Sequence, residues 1–296
     1  MSAPLFGEEL GIERPDGRRL HGTRRRGSSR PVLAVHGLSS TSGLWAWVLA
    51  ADPDLDLVAA DLSGRGASTP RRDTSTLAGH ADDQVAVLDA LGLDAVDVVG
   101  MSLGAFVAVR LAADHPERVR SLTLLDGGLP MARHPASREQ LEAAVADRLA
   151  RRDTDWPDLT AYVDFVVANT APLLDPADPL LHACLAHDLE RGAGGGRVRL
   201  DGRGLVDDAA DVFLTDSAEN ALRRLRVPAR LLCAEWSAGA GTVPAYTDEE
   251  VAAHLAAHPA LVHAERLAGH DHAGVVMTGT GAAASVRVLR ESLAAG

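Results

Sequence analysis

Apolar and polar positions follow two different patterns along this chain. In the first part, short apolar runs alternate with segments of helical period. Pro31 to Val35 is one such run; it ends at His36-Gly37 and predicts a buried strand. Leu57 to Ala60 predicts the next, ending at Asp61 and the turn Ser63-Gly64-Arg65-Gly66. Ala95 to Val99, closed by Gly100, and Val119 to Leu125, closed by Asp126-Gly127-Gly128, predict two more. Between them, Thr41 or Ser42 caps a helix with Leu44, Trp45, Val48 and Leu49 on one face. His80 to Leu91 carries Val85, Leu88 and Leu91 at helical spacing. Leu103 to Ala113 predicts an apolar helix stopped before Pro116. This alternation predicts an α/β domain: a mainly parallel sheet with helices on both faces and right-handed crossovers.

From Pro130 to about Leu225 the pattern changes. Ser137-Arg138-Glu139-Gln140 fits a capping box, and Leu141, Val145 and Leu149 then predict one helix. Trp156-Pro157 opens a second, with Leu159, Tyr162, Val163 and Val166, and Leu180 to Leu189 predicts a third. Gly192 to Gly204, rich in Gly and Arg, reads as a loop. The stretch predicts a mostly helical insertion over 130–225, leaving 1–129 and 226–296 as the core. The strand–helix alternation resumes with a strand at Ala229 to Cys233, a helix at Asp248 to His258 with Asp248 near its cap, a strand at Leu261 to Leu267 and a last helix at Gly281 to Leu293.

Gly100-Met101-Ser102-Leu103-Gly104 fits G-x-S-x-G, in which a serine sits on a sharp strand-to-helix turn. The predicted strand running into Gly100 and the helix leaving from Leu103 supply that context. A serine nucleophile generates an oxyanion that needs two N–H donors. Leu103, at the start of the helix, offers one; the turn His36-Gly37-Leu38 offers the other through the Leu38 N–H.

These motifs and their order resemble the α/β-hydrolase superfamily. The resemblance runs through V-H-G at Val35 to Gly37, D-L-S-G-R-G-A-S at Asp61 to Ser68, G-M-S-L-G, and H-P-E-R-V-R-S-L-T-L-L-D at His115 to Asp126. The last strand, helix and histidine extend it to nearly the whole chain. It implies an α/β-hydrolase fold with the insertion as a helical cap over the active site, and a nucleophile–acid–histidine order. The histidine then comes from Ala268-Gly269-His270-Asp271-His272, where His272 is favoured over His270. At the usual acid position, after the strand ending at Cys233, the chain carries Ser237 instead. Asp126, Glu235 and Asp248 remain as candidates, with Asp126 preferred.

Composition narrows the chemistry further. All 29 basic residues are arginine, which excludes a lysine Schiff base. The net charge of −12 argues against nucleic acid as a partner. Arg24-Arg25-Arg26 is the one basic run and reads as a solvated strand edge. Cys184 and Cys233 read as buried free thiols. No spaced metal-ligand motif is present, so no metal and no other cofactor are expected. No apolar run approaches the ~20 residues of a membrane span. Met1 to Glu13 lacks a basic start followed by an apolar run, so the expectation is a cytoplasmic protein without a secretory signal. The expected reaction is hydrolysis of a small carboxylic ester or lactone through an acyl-enzyme on Ser102. The expected substrate pocket surrounds Trp156, Tyr162 and Phe165. A thioesterase, a perhydrolase or a cofactor-free oxygenase would use the same residues; a non-catalytic ligand-binding protein is the alternative of another class.

Overall fold

The computed structural model describes residues 6–192 and 195–295. Residues 1–5, which open the segment read for a leader, lie outside the described residues; so do Ala193 and Gly194 of the glycine-rich stretch and the terminal Gly296.

Ten strands form two sheets among these residues: β1 Glu8–Glu13, β2 Arg19–Arg25, β3 Pro31–Val35, β4 Asp56–Ala60, β5 Val96–Met101, β6 Val119–Leu125, β7 Leu189–Gly192, β8 Gly195–Val198, β9 Ala229–Trp236 and β10 Leu261–Asp271. Eight of them make the main sheet, in the order β1-β2-β4-β3-β5-β6-β9-β10. β2 runs antiparallel to both of its neighbours, and from β4 onward all pairs are parallel. Side chains alternate between faces, as a strand requires. Leu33, Val35 and Val98 enter the apolar cluster built with the helices Leu77–Ala90 and Leu103–Asp114. Val32, Ala34, Val99 and Met101 enter the one built with Ala46–Ala51 and Gly279–Ala295. Both faces are therefore covered, which is why β5 is buried along its whole length, with Asp97 its one charged residue.

The main sheet and its helices lie close to the expected places, with informative exceptions at their ends. The helix expected from His80 begins at Leu77, because the Thr76 hydroxyl caps it by accepting from Gly79 N–H. Thr247, not Asp248, caps Asp248–Ala257, through a capping box with Glu250. The basic run is not a solvated edge. β2 is an interior strand, and Arg24 is buried with its guanidinium forked onto both carboxylate oxygens of Asp56, at 2.9 and 2.8 Å. A bidentate partner is what makes that burial tolerable.

Between β6 and β9 lie the helices Arg138–Ala144, Ala146–Asp153, Leu159–Asn169, Pro179–Asp188, Gly202–Phe213 and Ser217–Arg224. The single helix expected through Leu141, Val145 and Leu149 breaks at Val145, whose φ −111° and ψ 10° leave the helical region. Leu141 and Val145 still pack on Leu205, Val206 and Ala209. The expected loop at Gly192–Gly204 is instead part of the β7–β8 hairpin followed by a helix from Gly202. Glycine content hid that hairpin: a Cβ on Gly195 would come within 2.1 Å of the Trp156 carbonyl oxygen, so close backbone approach demands a residue of poor strand propensity. No helix among the described residues is long and apolar enough to cross a membrane.

Candidate active site

β5 ends at Met101, and the helix Leu103–Asp114 begins one residue after Ser102. The serine between them has φ 56° and ψ −122°, outside the regions an L-residue prefers. The glycines on either side make this turn possible. A Cβ on Gly104 would stand 2.0 Å from the Val35 carbonyl oxygen, and one on Gly100 would stand 2.3 Å from the Gly104 carbonyl oxygen. No side chain fits at either position, so the helix can start directly against the sheet. Ser102 N–H donates to the Leu125 carbonyl at 3.0 Å, which ties the turn to the end of β6.

β6 delivers Asp126. It too has a positive φ, 43°, which an aspartate tolerates better than most residues. The following Gly127 must lack a side chain, since a Cβ there would lie 2.4 Å from the Ser102 carbonyl oxygen. Asp126 is buried, and both carboxylate oxygens are engaged: Oδ1 accepts from Ala234 N–H at 3.0 Å and Oδ2 from His272 Nδ1 at 2.5 Å. The structure thus brings Ser102, Asp126 and His272 to one cavity. It does not bring His270 there: that ring bonds the Ala268 carbonyl and the Thr280 hydroxyl. Glu235 accepts from Gly269 N–H, and Asp248 pairs with Arg266, so neither reaches the His272 ring. Asp271 is spent on Gly239 and Gly274 N–H groups and braces the histidine loop.

The turn after β3 is arranged around His36. Its Nε2 accepts from Leu62 N–H and its Nδ1–H donates to the Gly37 carbonyl, both at 2.8 Å. Burial pushes this imidazole down to about 4, so it is neutral in ordinary buffers and holds one tautomer. The Gly37 carbonyl and the Leu38 N–H belong to the same peptide plane and point in opposite directions. Fixing the carbonyl on His36 therefore fixes the aim of the Leu38 N–H. The next carbonyl, of Leu38, accepts from Arg65 Nε at 3.0 Å. Leu38 and Leu103 both line the cavity with Ser102.

The cavity has a volume of about 440 Å³. Its walls include Leu44, Phe106 and Met277 from the core side and Met131, Val145, Val166 and Leu185 from the insertion. Trp156, Tyr162 and Phe165 do not line it. Their rings pack on one another, with centroids of Tyr162 and Phe165 5.2 and 5.0 Å from that of Trp156, in an apolar cluster that joins the insertion to Ala46, Trp47 and Ala282 of the core. Tyr162 acts at one remove: its hydroxyl donates to Asp188, which does line the cavity. Cys184 lines it as well, but burial pushes its thiol up well above the usual range, and it is no thiolate nucleophile at neutral pH. Both cysteines are buried and free.

One cluster of metal-ligand types escaped the sequence reading, because positions 21, 61 and 187 share no spacing. His21, Asp61 and His187 place one ligand atom each within 4.8 Å of the others. Asp61 Oδ2 lies 3.0 Å from His21 Nδ1 and 3.4 Å from His187 Nε2. Backbone N–H groups of Ser42 and Ala67 also donate to this carboxylate. Burial opposes the charge on Asp61, but the hydrogen bonds from His187 and His21 outweigh it and hold the carboxyl far below its usual range. Burial likewise opposes a proton on His187, and Asp61 overcomes it and raises the imidazole. His187 belongs to the insertion and Asp61 to the core, so the pair fastens one to the other. A raised histidine stabilises fully below its unfolded value, ~6.5, and loses that contribution as pH rises through its folded value. His187→Gln is therefore expected to lower the denaturant midpoint at about pH 5.5 and to have much less effect at about pH 9. Equal losses at both pH values would mean that packing, not charge, makes the attachment.

Comparison with known proteins points the same way as the geometry. A family model described as alpha/beta hydrolase fold matches residues 30–169. Over 113 residues the chain is 40% identical to the dihydrolipoyllysine-residue acetyltransferase component of an acetoin cleaving system from Cupriavidus necator, covering 37% of this chain and 30% of that one. Over 109 residues it is 38% identical to the lipase LipV of Mycobacterium tuberculosis, covering 36% of this chain and 41% of that one. The chain thus spans only about a third of the length of these curated relatives. In structure it is similar to a hypothetical protein from Pseudomonas aeruginosa, with a TM-score of 0.75 and 26% identity over 97% of this chain and 99% of the other. With the parallel sheet, the serine on its strand-to-helix turn and the helices between β6 and β9, these matches show that the chain has the α/β-hydrolase fold.

Proposed function

We propose that this protein is a serine hydrolase that cleaves a carboxylic ester or lactone through an acyl-enzyme on Ser102, with residues 130–225 forming a cap domain on a core of 1–129 and 226–296. The observation that carries this reading is the His272–Asp126 bond beside a serine held in a strained elbow, in a single cavity. His272 takes the Ser102 proton as Oγ attacks the substrate carbonyl carbon. The Leu38 and Leu103 N–H groups receive the oxyanion, and Asp126 keeps the Nδ1–H tautomer and carries the charge of the imidazolium. When the carbonyl re-forms, the bond to the leaving oxygen breaks and His272 returns the proton to it. Water, deprotonated by the same imidazole, then attacks the acyl carbon; the bond to Ser102 Oγ breaks, His272 returns the proton to Oγ, and the acid leaves. Each step uses side chains and backbone groups of this chain, so no cofactor enters it.

Similarity to a lipase supports ester substrates, and the cavity volume of about 440 Å³ suits a small molecule. A fluorophosphonate probe tests the reading: it is expected to label Ser102 stoichiometrically and to abolish hydrolysis in a panel of esters, lactones and thioesters. An unlabelled, folded protein that turns over none of them would leave a ligand-binding role on a hydrolase fold instead.

A further inference from the structure

The cavity that holds Ser102 is also lined by two arginines. Arg148 and Arg151 lie on the helix Ala146–Asp153, three residues apart and so on one face, and both line the cavity. Arg151 is only 4% exposed. Its one side-chain hydrogen bond among the described residues goes from the guanidinium to the Ser39 carbonyl, and its Nε is buried without a partner. A buried guanidinium with most of its five donors uncommitted is costly unless an anion completes it. The Arg148 side chain is 30% exposed; it pairs with Asp147 at 2.9 Å and stands nearer the solvent.

No carboxylate of the cavity bonds to the Arg151 guanidinium among the described residues, and Asp188 feels its charge only from beyond ion-pair distance. Asp126 is committed to Ala234 and His272, and Asp271 to Gly239 and Gly274. Asp188 accepts from the Thr41 hydroxyl at 3.0 Å and the Tyr162 hydroxyl at 2.9 Å, and forms no ion pair with Arg151 within 4.0 Å among the described residues. We infer that Arg151, with Arg148 behind it, is a subsite for a free carboxylate, and that the substrates are esters whose acyl part carries a second, ionised carboxyl group. A planar fork of donors matches a carboxylate in two-point contact, and charge assistance makes such a contact strong. This rests on the serine-hydrolase reading of the same cavity.

Binding and rates test it together. Calorimetry would use the wild-type protein and the dicarboxylates of four to eight carbons, which are the products of such esters. Rates would compare each mono-p-nitrophenyl hemiester with the neutral p-nitrophenyl alkanoate of equal chain length. At least one dicarboxylate is expected to bind, with affinity reduced roughly tenfold or more in Arg151→Gln and by a smaller factor in Arg148→Gln. The matching hemiester is expected to exceed its neutral isostere in kcat/KM by about tenfold, a preference that both variants erode. Arg148→Gln keeps the test open should Arg151→Gln fail to fold. An unchanged hemiester-to-neutral ratio in both variants, even at lower absolute rates, would overturn the subsite and leave Arg151 as a brace for the Ser39 carbonyl. So would inorganic phosphate binding more tightly than every dicarboxylate. Fluorophosphonate labelling and neutral-ester turnover without arginine-dependent binding would remove the subsite and leave the hydrolase reading intact. Arginine-dependent dicarboxylate binding to a protein that no probe labels would do the reverse.

Discussion

Ser102→Ala is expected to reduce kcat on the best ester substrate by about 10⁵ to 10⁶, while the fold and ground-state binding persist. The size follows from what the serine does. Without Oγ there is no acyl-enzyme, and the rest of the site can act only on a direct attack by water. In serine hydrolases the oxyanion donors and substrate binding alone retain about 10³ to 10⁴ over the uncatalysed rate, so turnover falls to that residue and not to zero. Alanine also suits a diagnosis of fold. Ser102 has φ 56°, a strain that alanine bears no better than serine, so the variant keeps the backbone problem and removes only the oxygen. Circular dichroism and a thermal midpoint close to wild type would accompany the loss. A folded variant retaining a large fraction of wild-type turnover would remove Ser102 from the mechanism.

Asp126→Asn is expected to cost about 10⁴ in kcat, the effect seen when a triad carboxylate becomes an amide. Two physical losses combine. Asparagine can present an N–H to His272 Nδ1 and so favour the tautomer that leaves no acceptor facing Ser102. It also removes the negative charge that offsets the imidazolium in the transition state. The remaining contacts of position 126 are compatible with an amide, because Oδ1 accepts from Ala234 N–H and an asparagine carbonyl can do the same. Glu235→Gln and Asp248→Asn serve as controls, expected to stay within a few-fold of wild type. Glu235 contacts Gly269 N–H, Asp248 pairs with Arg266, and neither touches the His272 ring. Circular dichroism and a thermal midpoint would separate a charge effect from a packing effect: the variant should stay folded near the wild-type midpoint, whereas a merely structural role lowers stability along with the rate. If Asp126→Asn remains active while Glu235→Gln does not, the acid comes from the strand where the superfamily usually places it.

The sequence alone determined the sheet-and-helix order and the strand-to-helix serine. Both are local properties: the periods of Pro31–Val35, Val96–Met101 and Leu103–Asp114, and glycines at 100 and 104 where neighbouring backbone leaves no room for a Cβ. It also determined that no lysine takes part, since none is present. The choice among Asp126, Glu235 and Asp248 was beyond it, because Asp126 and Glu235 stand at the ends of neighbouring parallel strands and Asp248 at the start of the next helix; side-chain aim separates them, and aim depends on the positive φ at Asp126 and on Ala234 and His272 arriving from 108 and 146 residues away. The lining of the cavity was equally out of reach. Helical period shows that Trp156, Tyr162 and Phe165 are buried, but not whether they face a ligand space or each other, and they face each other. Arg24 and Arg151 look like solvated charges in a string of letters; tertiary structure buries both, giving one its partner in Asp56 and leaving the other at the cavity wall with its Nε unpartnered. His21, Asp61 and His187 meet for the same reason: burial, pairing and charge compensation are properties of the space between elements, and spacing along the chain carries no record of that space.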